Sequence, residues 1–399
     1  MTQSTFGSRS VSKLVAAITV LGVKGVYAEE VASPAPSEPT SATEVKIGAW
    51  VETYFQASRG APTNGLLSLR AFDFREGFNL QNAAIDFDVK KGADSLKVTL
   101  QSGLLGVNTY DYLEPASPGS AYAAPSGANA LRYLQQAYAT HTFASGLAVT
   151  AGLFPTPVGF ETYNVKDNWN WSKANTFYFL TYYHVGAKAA YALTKELTLS
   201  AYLTNGWNNG YETNATPSGA LQLGFDNGAG TTASLVYFAG NERKRSEAAA
   251  LGKPVRHMLD AWVSVPVTES LAVGAQADVG MEETTLGTNR WLAGALYTRA
   301  KVASWFYVAL RGDAFTESAA DPAQPLFFLT ANGTDLVTSG TATLDFRPSE
   351  TTSFRLEARH DRANGDSYFR EVVARDAAGN EVFNTRKQST LLAGMAVSF

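Results

Sequence analysis

The chain has 399 residues, of which 17% are charged and 45% are hydrophobic, and its formal net charge is −4. The charged fraction lies below the roughly 25% typical of soluble proteins, and a negative chain lacks the basic surface that nucleic-acid partners require. Because the sequence contains no cysteine, a disulfide framework and a thiolate metal site are both excluded.

The N-terminal segment is typical of a secretory signal peptide. Two basic residues precede the apolar run 14–23, and Val26 and Ala28 supply small side chains at the −3 and −1 positions of a cleavage site. This apolar run is too short for a membrane-spanning helix, which needs about 20 residues. We therefore predict a signal peptide at 1–28, a flexible Pro- and Ser-rich periplasmic linker at 29–44, and a single domain at 45–399.

From residue 45 onward, apolar and polar residues alternate, which predicts β-strands with two different faces. In the first such segment, Ile47 and Val51 fall on one face, and Trp50 and Glu52 fall on the other. Sixteen segments show the pattern: 45–56, 78–90, 95–105, 132–143, 147–154, 176–192, 197–206, 218–226, 231–240, 256–265, 270–282, 290–301, 304–315, 336–347, 352–363 and 389–399.

The connections between these segments alternate in length. The tight connections are 91–95, 144–146, 193–196, 227–230, 266–270, 302–304 and 347–351. The others are 57–77, 106–131, 155–175, 207–217, 241–255, 317–335 and 364–388, all of them long, and the short 284–289. Tight turns at one end and long loops at the other are typical of outer-membrane barrels, with the turns in the periplasm and the loops outside the cell.

A bilayer leaves no backbone group unpaired, so strands can cross it only as a closed barrel. We therefore predict an all-β, transmembrane, antiparallel up-and-down β-barrel of about 16 strands, which is wide enough for a water-filled lumen. The expected location is the bacterial outer membrane, with outer-membrane lipid as the surroundings. A soluble β-sandwich would also show alternation, but it would not show successive tight connections at a single end.

The last segment ends in an aromatic residue. Leu391, Met395 and Phe399 lie on one apolar face of 389–399, and this strand must pair with 45–56 to close the barrel. Phe399 is therefore expected to act in barrel closure. A terminal strand ending in Phe also resembles the signal that the outer-membrane assembly machinery reads.

Two stretches carry a family resemblance. "LQQAYATHTFASGLAVTAGLFPTPVGFET" (134–162) and "HVGAKAAYALTKELTLSAYLTNGW" (184–207) resemble the OmpL-like β-barrel porin family, with its Gln-Gln-Ala-Tyr strand, its Gly-Leu-Phe-x-Thr-Pro-Val-Gly hairpin and its Asn-Gly-Trp strand end. The resemblance implies an outer-membrane channel for small solutes. It implies no cofactor, and it transfers no substrate residues.

The sequence shows no motif of an enzyme. It contains no G-x-S-x-G, G-x-G-x-x-G, Walker or H-E-x-x-H motif, so no catalysis, cofactor or metal is expected. His360 beside Asp361 could form part of a hydrolytic site, but a histidine at a strand end is the simpler interpretation. Trp169 and Trp171 would either stack on sugars or pack within their loop.

Two functions remain open at this stage. The first is a porin for passive diffusion of small hydrophilic solutes, and the second is a non-conducting barrel that serves as an adhesion or structural anchor. A homotrimer is expected by analogy with general porins. The charged run 241–247 is predicted to be a solvated loop or, alternatively, to contact lipopolysaccharide, an expected partner, or a neighbouring protomer.

The third long connection, 155–175, is predicted to fold into the lumen and narrow it, as in general porins. Two prolines and Gly159 favour an inward bend, and Glu161 and Asp167 would bring carboxylates into the lumen.

Across from these carboxylates, strand alternation places arginines on the inward face of the wall: Arg311, Arg355 and Arg359. Acids that face arginines would create a transverse field that sorts solutes by charge and dipole. Alternatively, the arginines pair with acidic neighbours on their own strands, namely Asp313, Glu357 and Asp361. The sequence does not decide between these two arrangements.

Overall fold

A computed structural model describes residues 42–111, 131–244, 247–327, 329–330 and 333–399. The predictions of a signal peptide and of most of the linker concern residues outside these ranges, and they stay predictions. The strands are β1 (Glu44–Ser58), β2 (Gly77–Lys91), β3 (Asp94–Ser102), β4 (Leu134–Thr142), β5 (Ala148–Pro155), β6 (Tyr183–Ala192), β7 (Leu197–Thr204), β8 (Ser218–Asp226), β9 (Thr232–Gly240), β10 (Arg256–Thr268), β11 (Leu271–Thr284), β12 (Gly287–Ala303), β13 (Phe306–Ser318), β14 (Leu336–Ser349), β15 (Thr352–Ala363), β16 (Ala374–Arg375), β17 (Glu381–Val382) and β18 (Lys387–Ser398).

The helices are short and lie in the connections. They are α1 (Leu104–Asp111), α2 (Asn175–Tyr178), α3 (Ala248–Leu251) and a 3-10 turn (Val165–Asp167). Within the described ranges, none of the helices has the length and apolar character needed to cross a bilayer.

Sixteen strands of the described chain form one closed antiparallel barrel, in which neighbours along the chain are neighbours in the sheet and β1 pairs with β18. The short strands β16 and β17 pair only with each other, inside the last long connection. The prediction of an all-β barrel with about 16 strands is therefore confirmed.

The connections separate into a turn end and a loop end, as predicted. We name the connections of the loop end in chain order: L1 (59–76), L2 (103–133), L3 (156–182), L4 (205–217), L5 (241–255), L6 (285–286), L7 (319–335) and L8 (364–386). Both β1 and β18 have their free ends at the turn end, so the two termini of the barrel lie together.

Exposure follows the predicted alternation of faces. Ile47 is 66% exposed, whereas Trp50 is 7% exposed and Glu52 has no exposed surface. On β15, Leu356 is 52% exposed, and the adjacent Glu357 is 4% exposed. The outer face is therefore apolar, as surrounding lipid requires, and the polar and charged side chains of the strands lie on the inner face.

The barrel closes at the last residue. The Phe399 amide donates to the Ala49 carbonyl at 2.9 Å, and the Ala49 amide donates to the Phe399 carbonyl at 3.2 Å. Without these bonds, the edge of β1 would carry unpaired backbone groups, which are costly in a bilayer.

One strand boundary was predicted wrongly. The segment 176–192 was expected to be a single strand, but the barrel strand begins only at Tyr183, and helix α2 takes up residues 175–178. The aromatic run before Tyr183 has the composition of a strand. Its residues are buried on all sides inside the lumen, where tertiary packing overrides strand propensity. The third connection therefore runs from 156 to 182, and not from 155 to 175.

Candidate functional site: a loop across the lumen

L3 enters the lumen directly after β5. Gly159 adopts a left-handed conformation, with φ of 94°, which allows the chain to turn inward. Its amide donates to Asp260 on β10 at 3.2 Å, and the Phe160 amide donates to Gln276 on β11 at 3.0 Å. Polar side chains of the wall therefore bind the loop through its backbone.

Glu161 lies against β13. Arg311 donates to its Oε1 at 2.9 Å, and the Ala174 amide donates to its Oε2 at 2.7 Å. Arg311 also pairs with its strand neighbour Asp313 at 3.2 Å, while Asp313 accepts the Asn175 amide at 2.9 Å. The two alternative pairings considered for Arg311 are thus present together.

On β15 the predicted residues bind the backbone of L3. Glu357 accepts the amides of Trp171 and Ser172 at 2.6 and 2.9 Å. Arg355 donates to the carbonyls of Val165 and Asn170 at 3.0 and 3.2 Å. The alternative in which the arginines pair with acidic neighbours on their own strand predicted an ion pair between Arg355 and Glu357. In the structure Glu357 binds L3 instead.

Arg359 combines both roles. It donates to Asp361 at 2.7 Å and also to the Lys173 carbonyl. Strand alternation thus brings Arg359, like Arg311 and Arg355, against L3, and the transverse field across the lumen stays a prediction. The arginines contact the loop itself, because buried guanidinium groups need acceptors close by.

Asp167 lies apart from this network. Its carboxylate pairs with the adjacent Lys166 at 2.9 Å, and its side chain is 39% exposed. Asp167 ends the 3-10 turn, and the amide of the adjacent Lys166 donates to Glu52 at 3.0 Å. Of the two predicted loop acids, only Glu161 contacts a predicted arginine.

Trp171 fixes the middle of L3 against the seam of the barrel. Its indole Nε1 donates to Gln81 at 2.7 Å, and its ring meets Tyr54 edge-on at 6.2 Å. The ring lies on the backbone of Gly394, where an added Cβ would overlap it. Glycine inside a strand often marks such a close approach, and this is the sequence signal from which the contact could have been anticipated.

The tryptophans of L3 have a packing role. Trp171 is 1% exposed and Trp169 is 7% exposed, and the Trp169 ring meets Phe160 edge-on at 5.3 Å. Side chains buried to this degree offer no face for a sugar to stack on, so loop packing is the correct one of the two interpretations.

Lys173 lies on the inner side of L3. It is 3% exposed, its ammonium lies 5.6 Å from the centroid of the Phe177 ring, and it has no hydrogen-bond partner among the described residues. Burial lowers the pKa of Lys173 to about 8, although the carboxylates of Glu161 and Glu52 act in the opposite direction.

L1 also folds inward, which the sequence did not reveal. Arg70 forms ion pairs at 3.1 Å with Asp73 of the same loop and with Asp361 on the wall. Phe72 stacks on Tyr163 of L3 with ring centroids 5.9 Å apart. L1 and L3 thus interlock at the loop end of the lumen.

The charged run 241–247 is not fully solvated, contrary to the prediction. Arg243 pairs with Glu282 at 2.7 Å, and Glu242 accepts the Trp207 amide at 2.6 Å. Burial raises the pKa of the Glu242 carboxyl. These side chains of L5 bind the rim of the barrel.

The other chemistry considered from the sequence does not assemble. His360 is exposed on the outer face, whereas Asp361 is 1% exposed on the inner face, so strand alternation separates the two groups of the suggested hydrolytic pair. Within the described ranges, no three His, Asp or Glu side chains come together in a group that could hold a metal ion.

Solved structures with a similar fold are outer-membrane proteins. The channel DcaP of Acinetobacter baumannii matches with a TM-score of 0.56 and 10% identity, covering 92% of this chain and all of its own. The anion-selective porin from Comamonas acidovorans gives 0.57 and 11%, over 90% and 100%. The trimer form of OmpT of Vibrio cholerae gives 0.55 and 10%, also over 90% and 100%. At these identities the likeness shows the fold alone.

A comparison with curated protein sequences gave no match. A family model described as "Putative beta-barrel porin-2, OmpL-like" matches residues 44–399, which is the whole of the barrel. The predicted resemblance is thereby confirmed, and both the family and the fold indicate a bacterial outer-membrane barrel. The chain belongs to the OmpL-like β-barrel porin family.

Proposed function

We propose that this protein is an outer-membrane channel for the passive diffusion of small hydrophilic solutes, and that L3 forms its constriction. The observation that carries the proposal is the anchoring of L3 across the lumen, above all by the Glu161–Arg311 pair at 2.9 Å. A loop held in this way would narrow the lumen, and barrels of about 16 strands are wide enough to enclose an aqueous channel.

The proposed constriction involves the residues singled out from the sequence, but most of them hold L3 in place and do not face the solute directly. Arg311, Arg355, Arg359, Asp313 and Glu357 position L3, because each of them binds the loop. Asp167 is the partly exposed acid, so it is the one that meets a passing ion.

The proposed setting follows from the family. The turn end faces the periplasm and the loop end faces outward, with outer-membrane lipid around the barrel and lipopolysaccharide near the loops. One similar solved structure is a trimer form, which supports a homotrimer as the proposed assembly.

A second candidate is a non-conducting barrel that acts as a structural or adhesion anchor. One observation favours it: aromatic side chains of L1 and L3 interlock in the lumen, with Phe72 within 6 Å of the Tyr163, Phe177 and Tyr182 ring centroids. If this cluster extends across the whole lumen, solutes cannot pass.

Recordings from planar bilayers separate the two candidates. The purified barrel should give discrete conductance steps, and Asp167→Asn should shift its ion preference toward anions by roughly fivefold, as expected for one charge about 4 Å from an ion in water. Asp376→Asn, at the exposed tip of L8, removes the same charge away from the lumen and is the control. If the barrel inserts without conducting, the anchor function is correct. If both variants change selectivity equally, Asp167 does not line the pore.

A further inference from the structure

A group of arginines on the inner wall near the turn end is short of acidic partners. Asp345 on β14 lies 3.4 Å from Arg299, 2.9 Å from Arg347 and 3.6 Å from Arg355. Three guanidinium groups thus share one carboxylate, for a local sum of +3 − 1 = +2.

Tyr307 orders two of these arginines. The guanidinium carbon of Arg299 lies 4.2 Å from the centroid of the ring, and that of Arg347 lies 5.5 Å from it. Tyr307 faces Asp345 directly across the sheet, and Asp345 faces Arg355 in turn. Stacking holds a guanidinium group in one plane, so its donors keep a fixed direction without a second carboxylate.

Two donors in this group have no acceptor among the described residues. Arg299 Nε and Arg355 Nη2 are buried and lack a hydrogen-bond partner among the described residues. The side chains of Arg299 and Arg347 keep 13% and 26% of their surface exposed. The group is therefore ordered, positively charged and still in contact with the lumen.

The nearest acids of the constriction are already engaged. Glu357 accepts two amides of L3 and the Thr343 hydroxyl. Glu52 accepts the Lys166 amide with Oε1, while its Oε2 has no hydrogen-bond partner among the described residues and forms no ion pair with the three arginines. Asp345 already serves three arginines at once, so it cannot supply an acceptor to every donor of the group. A buried donor without a partner is costly, and an anion from solution would provide the missing acceptor.

We propose that Arg299, Arg347 and Arg355, ordered by Tyr307 and Asp345, form a binding site for an oxyanion, a carboxylate or a phosphate, in the lumen at the turn end. Guanidinium groups match the planar, two-point geometry of such anions. The proposal rests on the channel function above and adds a solute class to it, namely small anions that leave the constriction toward the periplasm.

The test is direct binding to the folded barrel in detergent. Inorganic phosphate is followed by the broadening of its ³¹P resonance, and acetate is added as a competitor. The variant Arg299→Gln with Arg347→Gln should weaken phosphate binding by at least roughly tenfold, because charge-assisted hydrogen bonds are lost. The control is Arg290→Gln, which removes an exposed arginine from the outer face of the same strand, β12.

Competition by acetate indicates a general oxyanion site, and its absence indicates a phosphate site. The proposal is overturned if phosphate does not bind the native barrel, or if it binds the double variant as well as the control.

Reversal potentials in a potassium chloride gradient test the channel separately. The double variant should lose preference for chloride by about fivefold for each of the two charges removed, as expected for a charge about 4 Å from an ion in water. A barrel that binds phosphate but conducts no ions would contradict the channel function while leaving the anion site intact.

Discussion

At the residue scale, the lumen is governed by charged groups with almost no contact with solvent. The side chains of Arg311 and Glu161 are 0% and 3% exposed, and Arg355 is 1% exposed. Removing one partner of such a pair typically costs about 3–5 kcal/mol, because the other charge stays buried and unpaired. Lys173 differs from these groups, since its ammonium is buried without a hydrogen-bond partner among the described residues.

The lowered pKa of Lys173 gives a prediction for stability. The folded-state pKa is about 8, and the ordinary value is 10.5. Between these values the unfolded chain binds a proton that the folded chain lacks, so stability rises with pH across this window. Below about pH 8 the lysine is charged in both states, and its burial destabilises the barrel most. Lys173→Met should therefore stabilise the barrel below the window and reduce the rise within it.

Urea unfolding followed by tryptophan fluorescence, at pH values on either side of the window, measures this effect. Lys195→Met, at a side chain that is 89% exposed in a tight turn, is the control and should keep the slope of the native barrel. An unchanged slope in Lys173→Met would mean that its ammonium is solvated.

At the element scale, the inward side chains of the strands match the groups that L3 presents to them. Each wall strand from β10 to β15 presents at least one inward polar or aromatic side chain to the loop, and β18 presents the bare backbone of Gly394. Position 394 therefore controls how closely Trp171, and with it the middle of L3, approaches the wall.

Gly394→Ala should displace Trp171 and loosen L3, because the added Cβ would overlap the indole ring. We expect a red shift of tryptophan fluorescence and a larger, noisier single-channel conductance. Gly340→Ala on β14 is the matched control, since a Cβ there meets nothing within 4 Å. If Gly394→Ala conducts and fluoresces like the control, L3 is not held by this contact.

The two faces of a strand can be compared at adjacent positions of β8. Leu221 is 54% exposed on the outer face, while Gln222 faces the lumen and accepts a hydrogen bond from the Tyr202 hydroxyl. Leu221→Arg should destabilise the barrel by about 2–4 kcal/mol if it lies near the bilayer midplane, and Gln222→Arg should cost much less. Unfolding of both variants in lipid vesicles gives the two values, and equal costs would contradict the assigned faces.

At the scale of the whole molecule, stability depends on closure. A barrel has no unpaired edge only if β1 and β18 meet, and their register runs from the Trp50–Ser398 pair to the Ser58–Thr390 pair. Phe399 adds two further backbone hydrogen bonds, both with Ala49, at the turn end of this seam.

Deletion of Phe399 should lower the amount of folded barrel in the outer membrane. It removes the bonds with Ala49 and the terminal aromatic residue that resembles an assembly signal. Heat-modifiability on gels measures the folded fraction, and Phe143→Ala, at another exposed aromatic residue near the turn end, serves as the control. Normal folded levels after the deletion would show that closure does not need the terminal residue.

The sequence by itself determined the barrel. Alternation has a period of two, and lipid and the lumen impose opposite requirements on the two faces of a strand. The number of strands, their facing and the turn and loop ends could therefore be predicted, although the start of β6 could not. The family resemblance could be recognised for a related reason, because strand ends and tight hairpins are encoded by short local motifs such as Asn205-Gly206-Trp207.

Only the tertiary structure decided what the lumen contains. The contacts of Glu161 with Arg311, of Trp171 with Gly394 and of Arg70 with Asp361 join residues that are 150, 223 and 291 positions apart, and no local pattern records such a pairing. Alternation identifies a side chain as inward, but it does not show whether that side chain meets water, a loop or another charge. The aromatic run before Tyr183 was mistaken for a strand for the same reason, since its burial comes from L1 and the wall.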